Sequence, residues 1–282
     1  MALTIIVSTT AEQVELVCDV LWSLGVVAIE EHWDTDHEVR LQTSLGDDRE
    51  VVTQVLDSLS WSATWTFCEV DESVGDAWRH FAKPVRVGKR ILVAPQWSQA
   101  TLIDDILTTM DKPQEALIVS IEPGSTFGMG DHPTTMASLL AIEKYLRVDD
   151  DVIDVGCGSG VLGITALMLG ARSARGIDIS AASIEVSHAN AVRNGVADRW
   201  NVSTATLAQF GEPVQIVVAN ILAPVLIELS EQLRRLVSLS GVLIISGVLT
   251  QNYAHVAESL RPLREIDRID LEQWSAVVFT HE

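Results

Sequence analysis

Gly156, Gly158 and Gly160 alternate after the apolar run Val152-Ile153-Asp154-Val155, and Asp178 ends the next β-rich segment, Arg175-Gly176-Ile177. From Gly160 an apolar stretch of helical length begins, so these glycines stand where a buried strand turns into a helix. Such a turn favours residues without a Cβ, which take unusual backbone angles and let a ligand touch the main chain. A helix start also offers free N–H groups and a partial positive charge, which suit a carboxylate or phosphate. Asp178, ending its own strand, stands beside the same crevice and can accept hydrogen bonds from two ribose hydroxyls. The chemistry implied is the holding of a nucleoside cofactor.

The string Gly158-Ser159-Gly160-Val161-Leu162-Gly163 also spells the dinucleotide pattern G-x-G-x-x-G. The longer string, with Asp154 inside the strand end, resembles instead the first motif of S-adenosylmethionine-dependent methyltransferases, whose crevice carries no pyrophosphate. A nicotinamide-dependent oxidoreductase is the alternative from another enzyme class. A glycine turn without a ligand leaves Asp178 unexplained.

Asn220 is a third polar residue at a strand end, after Val217-Val218-Ala219 and before Ile221-Leu222-Ala223. Methyltransferases that act on amino or amide nitrogen often place Asn or Asp here. Its side-chain carbonyl and a neighbouring backbone carbonyl can together accept two N–H bonds from a substrate nitrogen. Alone, such an Asn satisfies a turn; beside the glycine turn and Asp178 it reads as functional. The segment Phe127-Gly128-Met129-Gly130-Asp131-His132-Pro133-Thr134-Thr135 brings a glycine pair, a proline and hydroxyls to a helix start. Exposed N–H groups there could grip the cofactor's methionine carboxylate, with Thr135 adding a hydroxyl. The plainer reading is a helix cap, and His132 reads as structural.

The elements that must position these residues follow from periodicity. Leu3 to Val7 is β-rich, and Thr10 with Gln13 forms a capping box for a helix carrying Val14, Val17, Leu21 and Leu24 on one stripe. Gly25 ends that helix, and Val26 to Ile29 follows as a strand. His37 to Leu45 alternates, with Val39, Leu41 and Thr43 on one side; Asp47-Asp48 starts a helix through Val51, Val55 and Leu59; Trp61 to Val70 alternates again. The order βαββαβ over residues 1–70 matches the ferredoxin-like motif, a small binding module. Residues 71–95 are assigned to a linker, polar and helical around Trp78-Arg79 up to Lys83, then β-rich from Pro84. Its best strand is Arg90 to Ala94. Residues 96–282 form the second domain. Leu117 to Ile121 is a strand, and from Thr134 helices and strands alternate to a helix-free end. That pattern predicts an α/β, doubly wound, mostly parallel sheet with one antiparallel edge hairpin.

The chain of 282 residues has 19 basic and 39 acidic side chains, a formal charge of -20. This disfavours a nucleic-acid backbone as main partner and favours a basic one. Cys18, Cys68 and Cys157 form no C-x-x-C pair, so neither a disulfide framework nor a metal site is expected, and a reducing, cytoplasmic setting fits. No apolar run reaches the roughly 18 residues of a membrane span.

With Trp78-Arg79 through Lys83-Pro84, Ala94-Pro95, Ile121-Glu122-Pro123-Gly124 and the helix end Asn190-Ala191-Val192-Arg193-Asn194-Gly195, these motifs resemble the family that methylates large-subunit ribosomal protein eleven. The likeness covers about the last 210 residues; the N-terminal 70 match in element order. It implies a seven-stranded methyltransferase sheet and an N-terminal domain that binds a basic protein substrate. It also implies methylation of lysine ε-amines and an N-terminal α-amine, with S-adenosyl-L-methionine as donor. By position it implies cofactor contacts from Thr135, Gly156, Gly158, Asp178 and Asn220, with Asn220 also catalytic. Met129 and Asp131 depart from the family's usual threonines, which leaves the substrate open. A lysine of another protein, such as an electron-transfer flavoprotein, and a non-catalytic ribosome-binding factor are the alternatives.

Overall fold

The computed structural model describes residues 3–11, 13–24, 26, 29–33, 35, 37–46, 48–59, 61, 63–68, 83–122, 128, 130–251 and 253–281. Gly25, the expected helical linker before Lys83, and Phe127 and Met129 lie outside the described residues. The chain divides into two compact units, Met1–Phe81 and Ala82–Glu282.

The first unit runs β1 (Leu3–Thr10), α1 (Val14–Ser23), β2 (Ile29–Trp33), β3 (Glu38–Leu45), α2 (Arg49–Asp57) and β4 (Thr64–Phe67). Its sheet is antiparallel, in the order β2-β3-β1-β4. Alternation decides which face is covered: Ile5, Val7, Val39, Leu41 and Thr43 are buried, with Val14, Val17 and Leu21 of α1. Two expectations shift. Of the strand expected over Val26 to Ile29, Val27 and Ala28 lie outside the described residues, and the described strand runs from Ile29 on to Trp33. The buried stripe of α2 is Val52 and Leu56, while Val51 is 54% exposed. Asp48 accepts from the N–H groups of Glu50 and Val51 and so starts the helix as expected. This start orients α2 with Val51 at the flank of the stripe.

The second unit begins with a three-stranded sheet, β5 (Val85–Val87), β6 (Ile91–Pro95) and β7 (Leu117–Ile121). Residues 85–95, assigned to the linker from sequence, therefore belong to this unit. Glu143 binds the turn between β5 and β6, accepting from Lys89 N at 3.0 Å and Arg90 N at 2.9 Å. Helix α3 (Ala100–Thr108) was not expected; it buries no residue fully.

Then follow α4 (Pro133–Tyr145), β8 (Asp151–Val155), α5 (Val161–Met168), β9 (Ser173–Ile177), α6 (Ala181–Arg193), β10 (Trp200–Ser203) and β11 (Val214–Asn220). The chain ends with α7 (Ala223–Glu228), α8 (Ser230–Leu236), β12 (Val237–Leu249), α9 (Tyr253–Ser259), β13 (Arg264–Leu271) and β14 (Trp274–Thr280). The seven-stranded sheet has the order β10-β9-β8-β11-β12-β14-β13, with β14 antiparallel to both neighbours. The terminal hairpin is as expected, and its last strand lies inside the edge. Strand β13 takes the edge with Arg264, Glu265, Arg268 and Asp270, charges that discourage further pairing.

Alternate residues of the central strands feed two cores. Val152, Ile216, Val218 and Ile244 join α4, α5 and the small sheet. Ile153, Val217, Ala219 and Ile245 face α7, α8 and α9. Burial on both faces explains the nearly continuous apolar runs of these strands.

The corrected stripe of α2 is testable by urea unfolding of the N-terminal unit. Val52→Ala removes fully packed methyl groups and should cost about 1.5 kcal/mol or more, whereas Val51→Ala should stay within roughly 0.5 kcal/mol.

Candidate functional site

In the sheet order β8 stands between β9 and β11, and the chain leaves it in opposite directions, so the carboxyl ends of β8 and β11 frame a crevice. The glycine turn follows β8, Asp178 follows β9 and Asn220 closes β11. The fold thus brings the three strand-end residues to one rim.

Gly156, Gly158 and Gly160 have φ of 70°, 51° and 81°, the left-handed region that glycine takes without strain. A Cβ on Gly156 would also run into Ile221. The N–H groups of this turn are not the free donors expected from sequence. Gly156 N and Cys157 N donate to Ile177 O at 2.8 and 3.0 Å, and Gly160 N donates to Cys157 O at 2.8 Å. Gly158 N donates to Asp178 Oδ2 at 2.8 Å, Val161 N to Ser159 Oγ at 3.3 Å and Gly163 N to Asp154 Oδ2 at 2.9 Å. A pyrophosphate needs such donors; here these six have partners within the fold. The last glycine of the dinucleotide-like string has a packing role, since a Cβ on Gly163 would collide with the buried Trp200 ring.

Asp178 accepts from Gly158 N through Oδ2 and from Ser180 N at 2.9 Å through Oδ1. Each oxygen keeps a lone pair, so the fixed carboxylate can still accept from a vicinal diol. Asp154, beneath the turn, is fully buried. Its Oδ2 holds Gly163 N, and its Oδ1 has no hydrogen-bond partner among the described residues. Burial raises its pKa to about 7; the Gly163 N–H opposes that shift and the charge of Asp178 adds to it.

Asn220 Nδ2 donates to Thr135 Oγ1 at 3.4 Å. Its Oδ1 and Ile221 O both pack against Gly247, 3.3 and 2.5 Å from where a Cβ on that residue would stand, so a side chain there would collide with them. Thr135, expected as a direct cofactor contact, is only 1% exposed and reaches the crevice through Asn220. The N–H groups at the start of α4 are also engaged: Thr134 N donates to His132 Nδ1 at 3.3 Å and Thr135 N to His132 O at 3.0 Å. They are the helix cap of the plainer reading. Burial lowers the pKa of His132, against the charges of Asp131 and Glu272, and its ring meets that of Trp274.

The family model described as ribosomal protein L11 methyltransferase (PrmA) matches residues 2–282. The chain belongs to the ribosomal protein L11 methyltransferase family. Among curated relatives of that name, one from Dictyoglomus thermophilum is 36% identical over 214 residues, covering 75% of this chain and 67% of the relative. Another, from Citrifermentans bemidjiense, is 35% identical over 215 residues, covering 74% and 67%. The crystal structure of a ribosomal protein L11 methylase from Lactobacillus delbrueckii subsp. bulgaricus superposes with a TM-score of 0.62 at 26% identity, over 71% of this chain and 98% of that one. The family match includes the N-terminal unit, where the sequence showed only element order.

The donor of this L11 methyltransferase family member is S-adenosylmethionine. The residues present fit a nucleoside without pyrophosphate: a carboxylate fixed for two hydroxyls, beside a turn in which Gly156, Gly158 and Gly160 N–H already have partners. Sequence reading missed Ser159, Asn190 and Gly247. Asn190 stood inside a quoted motif, but its partners lie in distant segments that no spacing reveals.

Asp154 supplies a pH test. Its folded-state pKa is raised, so the stability it contributes is fully present below its unfolded value of about 4 and is lost as pH rises through about 7. Asp154→Asn removes that titration. Relative to the unsubstituted protein, the variant should gain on the order of 2 kcal/mol between pH 5 and pH 8 in denaturant unfolding; a constant offset would contradict this.

Proposed function

We propose that this protein transfers methyl groups from S-adenosylmethionine to ribosomal protein L11, on lysine ε-amines and the N-terminal α-amine, without an essential side-chain base. The observation that carries this reading is Asn220 at the carboxyl end of β11, bonded to Thr135, on the same rim as the glycine turn and Asp178. Its side-chain carbonyl, with a neighbouring backbone carbonyl, can take two N–H bonds of a neutral amine and aim its lone pair. The bound donor supplies a methyl group on a sulfonium, whose leaving thioether is neutral. Asp178 holds the ribose, while Gly156 and Gly158 give the nucleoside a main-chain surface. Thr135 fixes Asn220 through the Nδ2 bond and so acts as a positioning residue.

Positioning is the main resource, since in-line orientation can supply roughly 7–11 kcal/mol. The obstacle is the lysine proton: with a pKa near 10.4, about one amine in 2,500 is neutral at pH 7, a cost of roughly 4.6 kcal/mol. Desolvation and the sulfonium charge both lower that pKa.

The first unit, with its βαββαβ order and β2-β3-β1-β4 sheet, is read as a ferredoxin-like recognition domain. A charge of -20 complements a basic protein and requires no direct nucleic-acid contact. Among the described residues no helix is long and apolar enough to cross a membrane. The cysteines are free, which fits the cytoplasm, where ribosomal proteins are made.

Donor identity is checked by thermal shift. A ligand at about 100 times its dissociation constant stabilises by about 2.7 kcal/mol; S-adenosylhomocysteine should raise Tm and NAD should leave it unchanged. A rise with NAD alone would return the oxidoreductase. For the chemistry, Asn220→Ala should lower kcat on L11 by about 100-fold. The ratio to the unsubstituted enzyme should stay constant from about pH 6 to 9. A ratio that changes with pH would assign an ionisation to this position.

A further inference from the structure

Asn190, on α6, is fully buried and stands behind the glycine turn. Its carboxamide pairs at two points with the main chain at the exit of β7: Nδ2 donates to Glu122 O at 3.0 Å and Oδ1 accepts from Glu122 N at 3.0 Å. The second hydrogen on Nδ2 goes to Ser159 O, 2.9 Å away in the turn itself. Ser159 then donates its hydroxyl to Gly128 O at 2.6 Å. Gly128 has a φ of 105°, and a Cβ there would lie 2.7 Å from Ser159 Oγ, so the clasp closes only on glycine.

One helical turn along α6, Asn194 makes the same two-point pair with Ser120, accepting from its N–H at 2.9 Å and donating to its carbonyl at 2.8 Å. Its other hydrogen returns to Asn190 O at 2.8 Å. The two asparagines thus line β7 as a neighbouring strand would. Of this pair, Asn190 is the one bonded to the turn.

We propose that Asn190 is a positioning residue for the methyl donor, holding the glycine turn through Ser159 in register with the chain that leads from Gly128 to Thr135 and hence to Asn220. This rests on the donor reading above. Removing the Asn190 carboxamide takes away the bond to Ser159 O in the turn, the two-point pair with Glu122 and the oxygen that accepts from Arg193 Nη1. Removing that of Asn194 takes away the matching two-point pair with Ser120 and no bond to the turn. The second substitution is therefore a control for the loss of a two-point pair with this strand.

The test uses full-length Asn190→Ala and Asn194→Ala, titrated with S-adenosylhomocysteine by calorimetry and unfolded thermally without ligand. Both should lose similar Tm. Asn190→Ala should weaken Kd about tenfold, and KM for S-adenosylmethionine should rise by a similar factor with kcat little changed. Asn194→Ala should stay within about twofold, since it frees no group in the turn. Equal weakening in both, or none in Asn190→Ala, overturns the proposal. If Asn190→Ala does not fold, Ser159→Ala decides, because it deletes the hydroxyl that holds Gly128 and accepts from Val161 N while leaving Asn190 in place; an unchanged Kd there overturns the proposal as well. If the unsubstituted protein binds no S-adenosylhomocysteine, the donor reading fails first and this inference falls with it.

Discussion

Gly158 N–H donates to Asp178 Oδ2 across the gap between the turn after β8 and the end of β9, and this bond constrains both sides. For the amide to point at the carboxylate, Gly158 takes a φ of 51°, with left-handed glycines two residues to either side. For the carboxylate to stay, Ser180 N must hold its other oxygen. The parallel pairing of β8 with β9, in register from Asp151 against Ser173 to Val155 against Ile177, delivers the two ends side by side. The cores on either face of the sheet then serve to keep that register, because a slip of one residue would exchange the two faces.

The same bond decides between cofactors that a motif search leaves level. The string from Gly158 to Gly163 satisfies the dinucleotide pattern, yet its glycines answer to other demands: Gly158 to Asp178, Gly160 to the packing of Ser187 and Ile164, Gly163 to Trp200. Val161 N and Gly163 N, taken by Ser159 and Asp154, are two helix-start donors withdrawn from a phosphate. Their engagement favours a ligand recognised by its ribose and shape over one recognised by charge.

Legibility followed the physical range of each signal. Alternation is local, so β3 and β7 formed within a residue of their expected bounds. Strand-end residues were legible because an α/β sheet gathers its carboxyl ends whatever the loops do. Of Val51, Val55 and Leu59, Leu59 does pack against the core, but Val51 turns out exposed, because the pattern of α2 allows two stripes one residue apart and tertiary packing chose Val52 and Leu56. Thr135 was expected as a contact, but burial against Asn220 depends on how α4 docks onto β11 and β12, a long-range fact. Asn190 and Asn194 carried no chemical signal, since a side chain that imitates a strand is visible only when the strand lies beside it.

In the proposed mechanism the identity of residue 220 also answers an electrostatic difficulty. A protein with a charge of -20 draws basic substrates toward itself, and the same field favours the protonated lysine that cannot react. Screening limits that field to about 8 Å at physiological salt, so the outcome is set by the groups within the crevice. A carboxylate at the end of β11 would bind the ammonium form and deepen the cost of losing its proton. A carboxamide accepts the same N–H bonds without a full charge. The nearby acids have their negative ends turned to other work: Asp178 accepts two backbone amides, and Asp154 is buried with a pKa raised to about 7. On that proposal the acidic surface gathers the substrate, and neutral carbonyl oxygens at the end of β11 receive the amine once its proton has gone.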